Sequence, residues 1–378
     1  MRKRAAHSIC SEAVGLQKVD IAYSVFYPVN HSARSAQMRI AINGFGRIGR
    51  SVLRLAAKCG DFDIALINDV ASLETLAYLF EFDSVFGPWT GRVEIAGNNL
   101  VIDGRVIPFH HESDIGALDL SSVDVVLECT GHRDTLTFSR SSLSAGAGRV
   151  VISGPAKGAD MTLVMGANDE TYRGQHIVSN GSCTTNAIAP LLRIVDEQFG
   201  VVGGHLTTVH CYTGSQPTVD QPRGDLARSR AAALSMVPTT TSAHFLLGEV
   251  LPHLAGLIEA RALRVPTASV SAIDLTVALR AQTELRKVRD VLRDLCERSP
   301  VLGWIEKPLV SVDLRGRPES LTVSGPELSM SAAGGLLRIF GWYDNEWGFA
   351  NRMLEVALLV GKRTLECRPF PSALRRRA

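Results

Sequence analysis

The chain has 378 residues, 46% of them hydrophobic and 21% charged, with a formal net charge of +2. Those proportions belong to a globular chain of about two domains and exclude collagen-like, disordered and disulfide-scaffold classes. No apolar run reaches the roughly 18 residues that a membrane-spanning helix needs, so no membrane partner is expected.

Residues 1–37 carry five basic and two acidic side chains. Met1-Arg2-Lys3-Arg4 looks like the start of a signal peptide, but the apolar stretch over 21–29 is short and broken by Ser24 and Pro28, and no cleavage site follows. A transit peptide is the alternative for this acid-poor segment. Met38, directly before a strong strand, favours an extension that is disordered or owes its presence to a start set too early. Residues 362–378 hold six basic side chains and one acid, which leaves the body between the tails at −6. A nucleic-acid binder would carry its positive charge as a patch on the fold. Arg375-Arg376-Arg377 therefore reads as a solvated end, and nucleic acid is not an expected partner.

Residues 38–43 read as a short buried strand, followed at once by Gly44-Phe45-Gly46-Arg47-Ile48-Gly49. Val52, Leu53, Leu55 and Ala56 then supply a helical apolar face, with Gly60 as the expected C-terminal cap. Residues 63–68 form a second strand ending at Asp69. Strand, glycine turn, helix, strand and acid are the order of a Rossmann dinucleotide site. Gly44 permits the turn, Gly46 lets backbone approach a pyrophosphate, and Gly49 lets helix and strand pack closely. The helix N-terminus, at Arg47 and Ile48, offers N–H groups to the phosphates. Asp69 accepts from ribose hydroxyls and repels a 2′-phosphate, which favours NAD over NADP. Further strands over 123–129 and 149–153 end at Thr130-Gly131 and Ser153, where loops of this fold touch the ligand; these are secondary cofactor candidates.

Seven cysteines with no CxxC pair suit a reducing cytoplasm rather than a disulfide framework. Cys183, in Ser182-Cys183-Thr184-Thr185-Asn186, precedes a helical pattern over 187–199. A helix N-terminus there is expected to lower the thiol pKa and yield a nucleophile. Cys59, Cys129 and Cys296 read as small core residues, and Cys10 and Cys367 lie in the tails. His210 ends the strand over 206–209, a suitable place for a base. His110-His111 has no partner at ligand spacing, so no metal is assigned.

The segments NGFGRIGR (43–50), SNGSCTTN (179–186), HCYT (210–213), ALSMVPTTTS (233–242), LRVPTASVS (263–271) and WYDNEWG (342–348) together resemble phosphorylating glyceraldehyde-3-phosphate dehydrogenase, over about residues 38–361. The resemblance implies an α/β chain: a Rossmann-type NAD-binding domain over 38–182, completed by a helix at about 344–363, and an α+β catalytic domain over 183–343 with a mostly antiparallel sheet. A basic tail over 364–378 follows. It also implies a cytoplasmic homotetramer acting on a sugar phosphate and inorganic phosphate. Cys183 would attack the aldehyde, with His210 as base. Thr213 and Arg264 match the site for the substrate's own phosphate, and Ser182, Thr184, Thr241 and Ser242 that for the attacking phosphate. Arg228 lies between the two. Asn345 matches the side chain that holds the nicotinamide carboxamide.

Departures from the family pattern are Ala187, Gly214-Ser215, Ala227 and Phe349, and an arginine expected beside the adenine is missing around 111–114. The nearest rival is an erythrose-4-phosphate dehydrogenase or another specialised sugar-phosphate paralogue. That rival usually has Glu in place of Asp69 and lacks Tyr212-Thr213. A non-catalytic binding protein is disfavoured by the presence of Cys183, His210, Thr213 and Arg264 together.

Overall fold

The computed structural model describes residues 37–132, 134–332 and 335–361. All but Gln37 of the expected extension, the basic tail, Cys10 and Cys367 lie outside the described residues.

A nine-stranded sheet begins with β1 (Met38–Asn43) at its centre. Helix α1 (Arg47–Ala56) leads to β2 (Phe62–Asn68), parallel to β1. After α2 (Leu73–Glu81) the chain makes an antiparallel run, β3 (Val93–Ala96), β4 (Asn99–Ile102) and β5 (Arg105–His110). The sheet resumes in parallel on the other side of β1 with β6 (Val125–Glu128), then, after α3 (Thr135–Ser144), with β7 (Arg149–Ile152). The short β8 (Met161–Thr162) and β9 (Ile177–Ser179) complete that edge. Parallel strands buried on both faces explain why β1 and β6 read as apolar runs rather than alternating ones. Ile40, Ile42, Val125 and Leu127 have no solvent exposure.

Helix α1 stops at Ala56, with Ala57 as its cap in right-handed conformation, so Gly60 is not the cap expected from the sequence. The Gly60 carbonyl instead accepts from the Gln37 side chain, in the turn leading to β2.

The chain then enters α4 (Cys183–Phe199) and β10 (Val201–Cys211). With β11 (Val237–Thr239), β12 (Ile258–Val265), β13 (Ser271–Leu279), β14 (Leu302–Ile305), β15 (Leu321–Ser324), β16 (Ser329–Met330) and β17 (Leu336–Tyr343), β10 forms an eight-stranded sheet. Only β10–β12 and β14–β15 pair in parallel; the other pairings are antiparallel. Helices α5 (Ala243–Val250) and α6 (Leu285–Arg298) belong to this half. The last helix, α7 (Trp347–Gly361), returns to pack on α1, β6 and β7 of the first sheet.

Two carboxylates hold that return. The Arg47 guanidinium donates to Glu346, just before α7, and to Asp83. Arg47 was a cofactor candidate from sequence; its side chain is committed to this latch, leaving its backbone N–H to face a ligand.

Candidate active site

The turn between β1 and α1 is built by glycine. Gly44 has φ +90°, in the left-handed region that favours glycine, and a Cβ there would lie 2.5 Å from the Thr130 nitrogen. A Cβ on Gly49 would lie 2.2 Å from the Gly44 carbonyl oxygen, so helix and turn touch backbone to backbone. Gly46 is different: a Cβ there would meet no protein atom within 4 Å. Gly46 also caps α1 without any side-chain hydrogen bond, and the first turn holds no acid. An open face over a helix N-terminus is what a pyrophosphate requires. Asp69 stands at the end of β2, where its Oδ2 accepts from the Phe45 N–H at 2.6 Å and its Oδ1 from Ala71 N–H at 2.9 Å. The acid thus braces the turn. Thr130 borders the turn; its hydroxyl and N–H both donate to the buried Glu128, which Asn43 also contacts. Gly131 follows at φ +62°, and Ser153 N–H donates to the Glu128 carbonyl. These residues fit a dinucleotide.

The second feature is a cavity of about 230 Å³. Its lining includes Ser182, Cys183, Thr184, His210, Arg228 and Arg264, with Thr241 and Ser242 at the start of α5. Ser182 caps α4, accepting from Thr185 N–H at 3.1 Å, which sets Cys183 as the helix's first residue. β10 delivers His210 opposite: Cys183 Sγ and His210 Nε2 are 3.4 Å apart. On the other side of the ring, Nδ1–H donates to the Cys211 carbonyl at 2.7 Å, which leaves Nε2 bare towards sulfur. Arg264 Nη1 donates to the same carbonyl at 2.9 Å and lies 3.0 Å from Nδ1, a cation beside the ring.

Each partner alone is held neutral. Burial pushes the Cys183 thiol up, against the pull of Arg264 and Thr184. Desolvation therefore outweighs the helix N-terminus, contrary to the expectation from sequence. Burial and then the Arg264 charge push His210 down from 6.5 to about 4. At 3.4 Å, however, the two titrate together. Moving the proton from sulfur to Nε2 leaves the site's net charge unchanged and puts opposite charges in contact.

Most of the anion candidates line one cavity. Arg264 lines the same space as Thr184, Thr241 and Arg228, whereas Thr213 lies outside the lining, 3.5 Å from Arg264 Nη1. Arg228 is pinned by Nε–H to Thr239 Oγ1 at 2.7 Å. Thr241 Oγ1 accepts from Ala243 N–H at the start of α5.

Two residues escaped sequence reasoning. Tyr343 is buried, with its hydroxyl 3.0 Å from Thr184 Oγ1 and 2.7 Å from Thr208 Oγ1, and its ring stands edge-on to His210. Thr208 lies two residues before His210, so strand alternation alone puts both on one face; it too lines the cavity. Elsewhere, burial pushes Cys59 up to about 11, Cys296 up to about 12, and Cys129 up as well.

A glycine-turn nucleotide fold joined to a second sheet that presents thiol, imidazole and guanidinium in one cavity places the protein among the dinucleotide-dependent oxidoreductases. Comparison with known proteins narrows this. Residues 38–136 match the family described as glyceraldehyde 3-phosphate dehydrogenase, NAD binding domain, and residues 182–345 match the C-terminal domain of that enzyme. The chain is 41% identical over 333 residues to the glyceraldehyde-3-phosphate dehydrogenase of Xanthobacter flavus, covering 86% of this chain and 99% of that one. It is 43% identical over 330 residues to the Pseudomonas aeruginosa protein of the same name, covering 85% and 98%. With the Geobacillus stearothermophilus protein of that name the identity is 40% over 334 residues, covering 87% and 99%. The chain belongs to the glyceraldehyde-3-phosphate dehydrogenase family.

Proposed function

We propose that the protein carries out the NAD-dependent oxidative phosphorylation of glyceraldehyde 3-phosphate to 1,3-bisphosphoglycerate, in glycolysis or gluconeogenesis. The observation that carries this reading is the 3.4 Å approach of Cys183 Sγ to His210 Nε2 inside a cavity lined by two arginines and several hydroxyls. Cys183 sulfur attacks the aldehyde carbon as its proton passes to His210 Nε2, and His210 returns that proton to the carbonyl oxygen, so that a hemithioacetal forms and Nε2 is free again. NAD, held by the glycine turn and Asn345, would supply the acceptor for the hydride of the hemithioacetal carbon. His210 takes the hydroxyl proton as the carbonyl re-forms, and a thioester remains on Cys183. The Cys183 N–H at the start of α4 and His210 stabilise the oxyanion. Inorganic phosphate then attacks the thioester, and the acyl phosphate leaves Cys183 as thiolate.

Arg264 and Thr213 hold the substrate's own phosphate. Arg228, Ser182, Thr184, Thr241 and the Ser242 backbone hold the incoming one. Because Arg264 faces the common cavity, the two anions share one electropositive field. The glycine turn, Arg47 and Ile48 N–H groups, Asp69, Thr130, Gly131, Ser153 and Asn345 hold the cofactor.

The protein acts as a cytoplasmic homotetramer. No helix of the described residues is long and apolar enough to cross a membrane. In the loop after β10, Leu226 is 92% and Leu234 85% exposed, while both amide atoms of the buried Gln216 lack a partner. Apolar side chains and an unsatisfied amide in one loop fit a surface covered by a second copy. Light scattering should give a mass near four times the chain's.

NADH absorbance with glyceraldehyde 3-phosphate and with erythrose 4-phosphate, with and without phosphate, tests the function. The expected result is a higher kcat/KM for the three-carbon aldehyde and sustained turnover only with phosphate. Preference for erythrose 4-phosphate would overturn the substrate.

A further inference from the structure

Three strand ends of the second sheet meet beside the cavity. Cys211 ends β10, Ser271 opens β13, and Tyr343 ends β17, two residues before Asn345. Ser271 and Tyr343 are register partners, and β10 and β13 are neighbours. Asn345 is only 8% exposed. Its Oδ1 accepts from the Cys211 thiol at 3.0 Å and from Ser271 Oγ at 3.5 Å. The Ser271 oxygen itself accepts from the Cys211 N–H at 3.1 Å, so its own proton is free to point at Asn345. Among the described residues, none accepts from Asn345 Nδ2.

A side-chain amide has two orientations of nearly equal shape, related by a flip that exchanges oxygen and nitrogen. Two donors aimed at one atom select the orientation that places oxygen there. Cys211 is fully buried, and burial pushes its thiol up to about 12, so it remains an S–H donor throughout the working range. A thiol is a weak donor, but it is placed twice over: directly through sulfur, and through its N–H by way of Ser271.

We propose that Cys211 is a positioning residue for the cofactor, which with Ser271 fixes the Asn345 amide so that Nδ2 donates to the nicotinamide carboxamide. The inference rests on reading Asn345 as the carboxamide contact. It gives Cys211 a task separate from that of its neighbour His210: Cys211 sets how the nicotinamide end is held, and His210 moves the proton.

The test is binding by calorimetry, with NAD and with ADP-ribose, which lacks the nicotinamide. Asn345→Ala, Cys211→Ala, Cys211→Ser and Ser271→Ala are compared with the parent. Loss of one neutral hydrogen bond corresponds to about 3- to 10-fold in affinity. Asn345→Ala and Cys211→Ala should weaken NAD by that amount and leave ADP-ribose within about twofold. Cys211→Ser keeps a donor and should restore NAD binding, while Ser271→Ala should weaken NAD in the same sense and provides the test should Cys211→Ala not fold. If Asn345→Ala weakens NAD while Cys211→Ala and Ser271→Ala bind it as the parent does, the positioning role is wrong. Equal weakening of both ligands by Cys211→Ala would also overturn it, since the residue would then act on the fold as a whole. If Asn345→Ala binds NAD unchanged, the reading of Asn345 falls, and the proposal with it.

Discussion

The glycine turn at 44–49 and the cavity around Cys183 are made by opposite means. The turn is backbone work: three glycines and one helix end lie within six residues, and a single distant acid, Asp69, braces them through the Phe45 N–H. The cavity is side-chain work, drawing on α4, β10, the loop at 228, the start of α5 and β12. The difference shows in what each can tolerate. A backbone cradle fails when an atom is added, and a side-chain cavity fails when a functional group is removed.

The largest expected loss lies in the cavity. Cys183→Ala removes the nucleophile, and turnover should fall by at least about 10³-fold while NAD affinity by calorimetry stays within a few fold. A variant that kept a tenth of parental turnover would mean that the cavity does not work through its sulfur.

On the nucleotide side, Asp69→Gly should weaken NAD by about 10- to 100-fold, the span of hydrogen bonds to a charged group. It should also narrow the preference over NADP, because the repulsion of a 2′-phosphate disappears. Equal use of both cofactors by the parent protein would contradict the role of this acid.

The three glycines should separate in a way that sharpens the contrast. Gly46→Ala has room in the protein, so its thermal midpoint should be unchanged while NAD weakens by roughly tenfold. Gly49→Ala forces a Cβ onto the Gly44 carbonyl and should cost about 1–3 kcal/mol of stability whether or not NAD is present. The same response in both variants would show that the open face at Gly46 is not the ligand's.

A smaller effect follows from the buried histidine. An unfolded chain protonates His210 below about 6.5, whereas the folded chain resists until about 4. Stability from this group is therefore fully present above pH 6.5 and lost as pH falls towards 4, by up to about 3 kcal/mol. Urea titrations of the parent and His210→Asn at pH 7, 5.5 and 4.5 should converge as pH falls. A constant difference would mean that the buried pair does not resist an additional proton.

The turn was legible in sequence because everything it needs is local: glycine spacing, a strand before, a helix after, an acid at the next strand end. The cavity was legible only in pieces. Cys183 stood out at the head of α4 and His210 at the end of a strand. The Thr184–Tyr343–Thr208 contacts join segments that only the pairing order β10–β13–β17 brings together. The partners of the Arg47 side chain were hidden for the same reason, since Glu346 lies about 300 residues away in sequence and no local pattern announces it. The thiol was misjudged because a helix N-terminus can be read from sequence, whereas the desolvation that outweighs it depends on the packing of the whole cavity.

The proposed reaction turns on a proton shared between Cys183 and His210. Iodoacetamide reports it directly, because Cys211 is fully buried and its thiol pushed up to about 12, so Cys211 should stay unmodified. The alkylation rate of Cys183 should be measured from pH 5 to pH 10 in the parent and in His210→Asn, with the labelled residue confirmed by peptide mass. The variant should lose the reactivity below about pH 8 and react at least about tenfold more slowly at pH 7. Identical rates and pH dependence in the two proteins would contradict it.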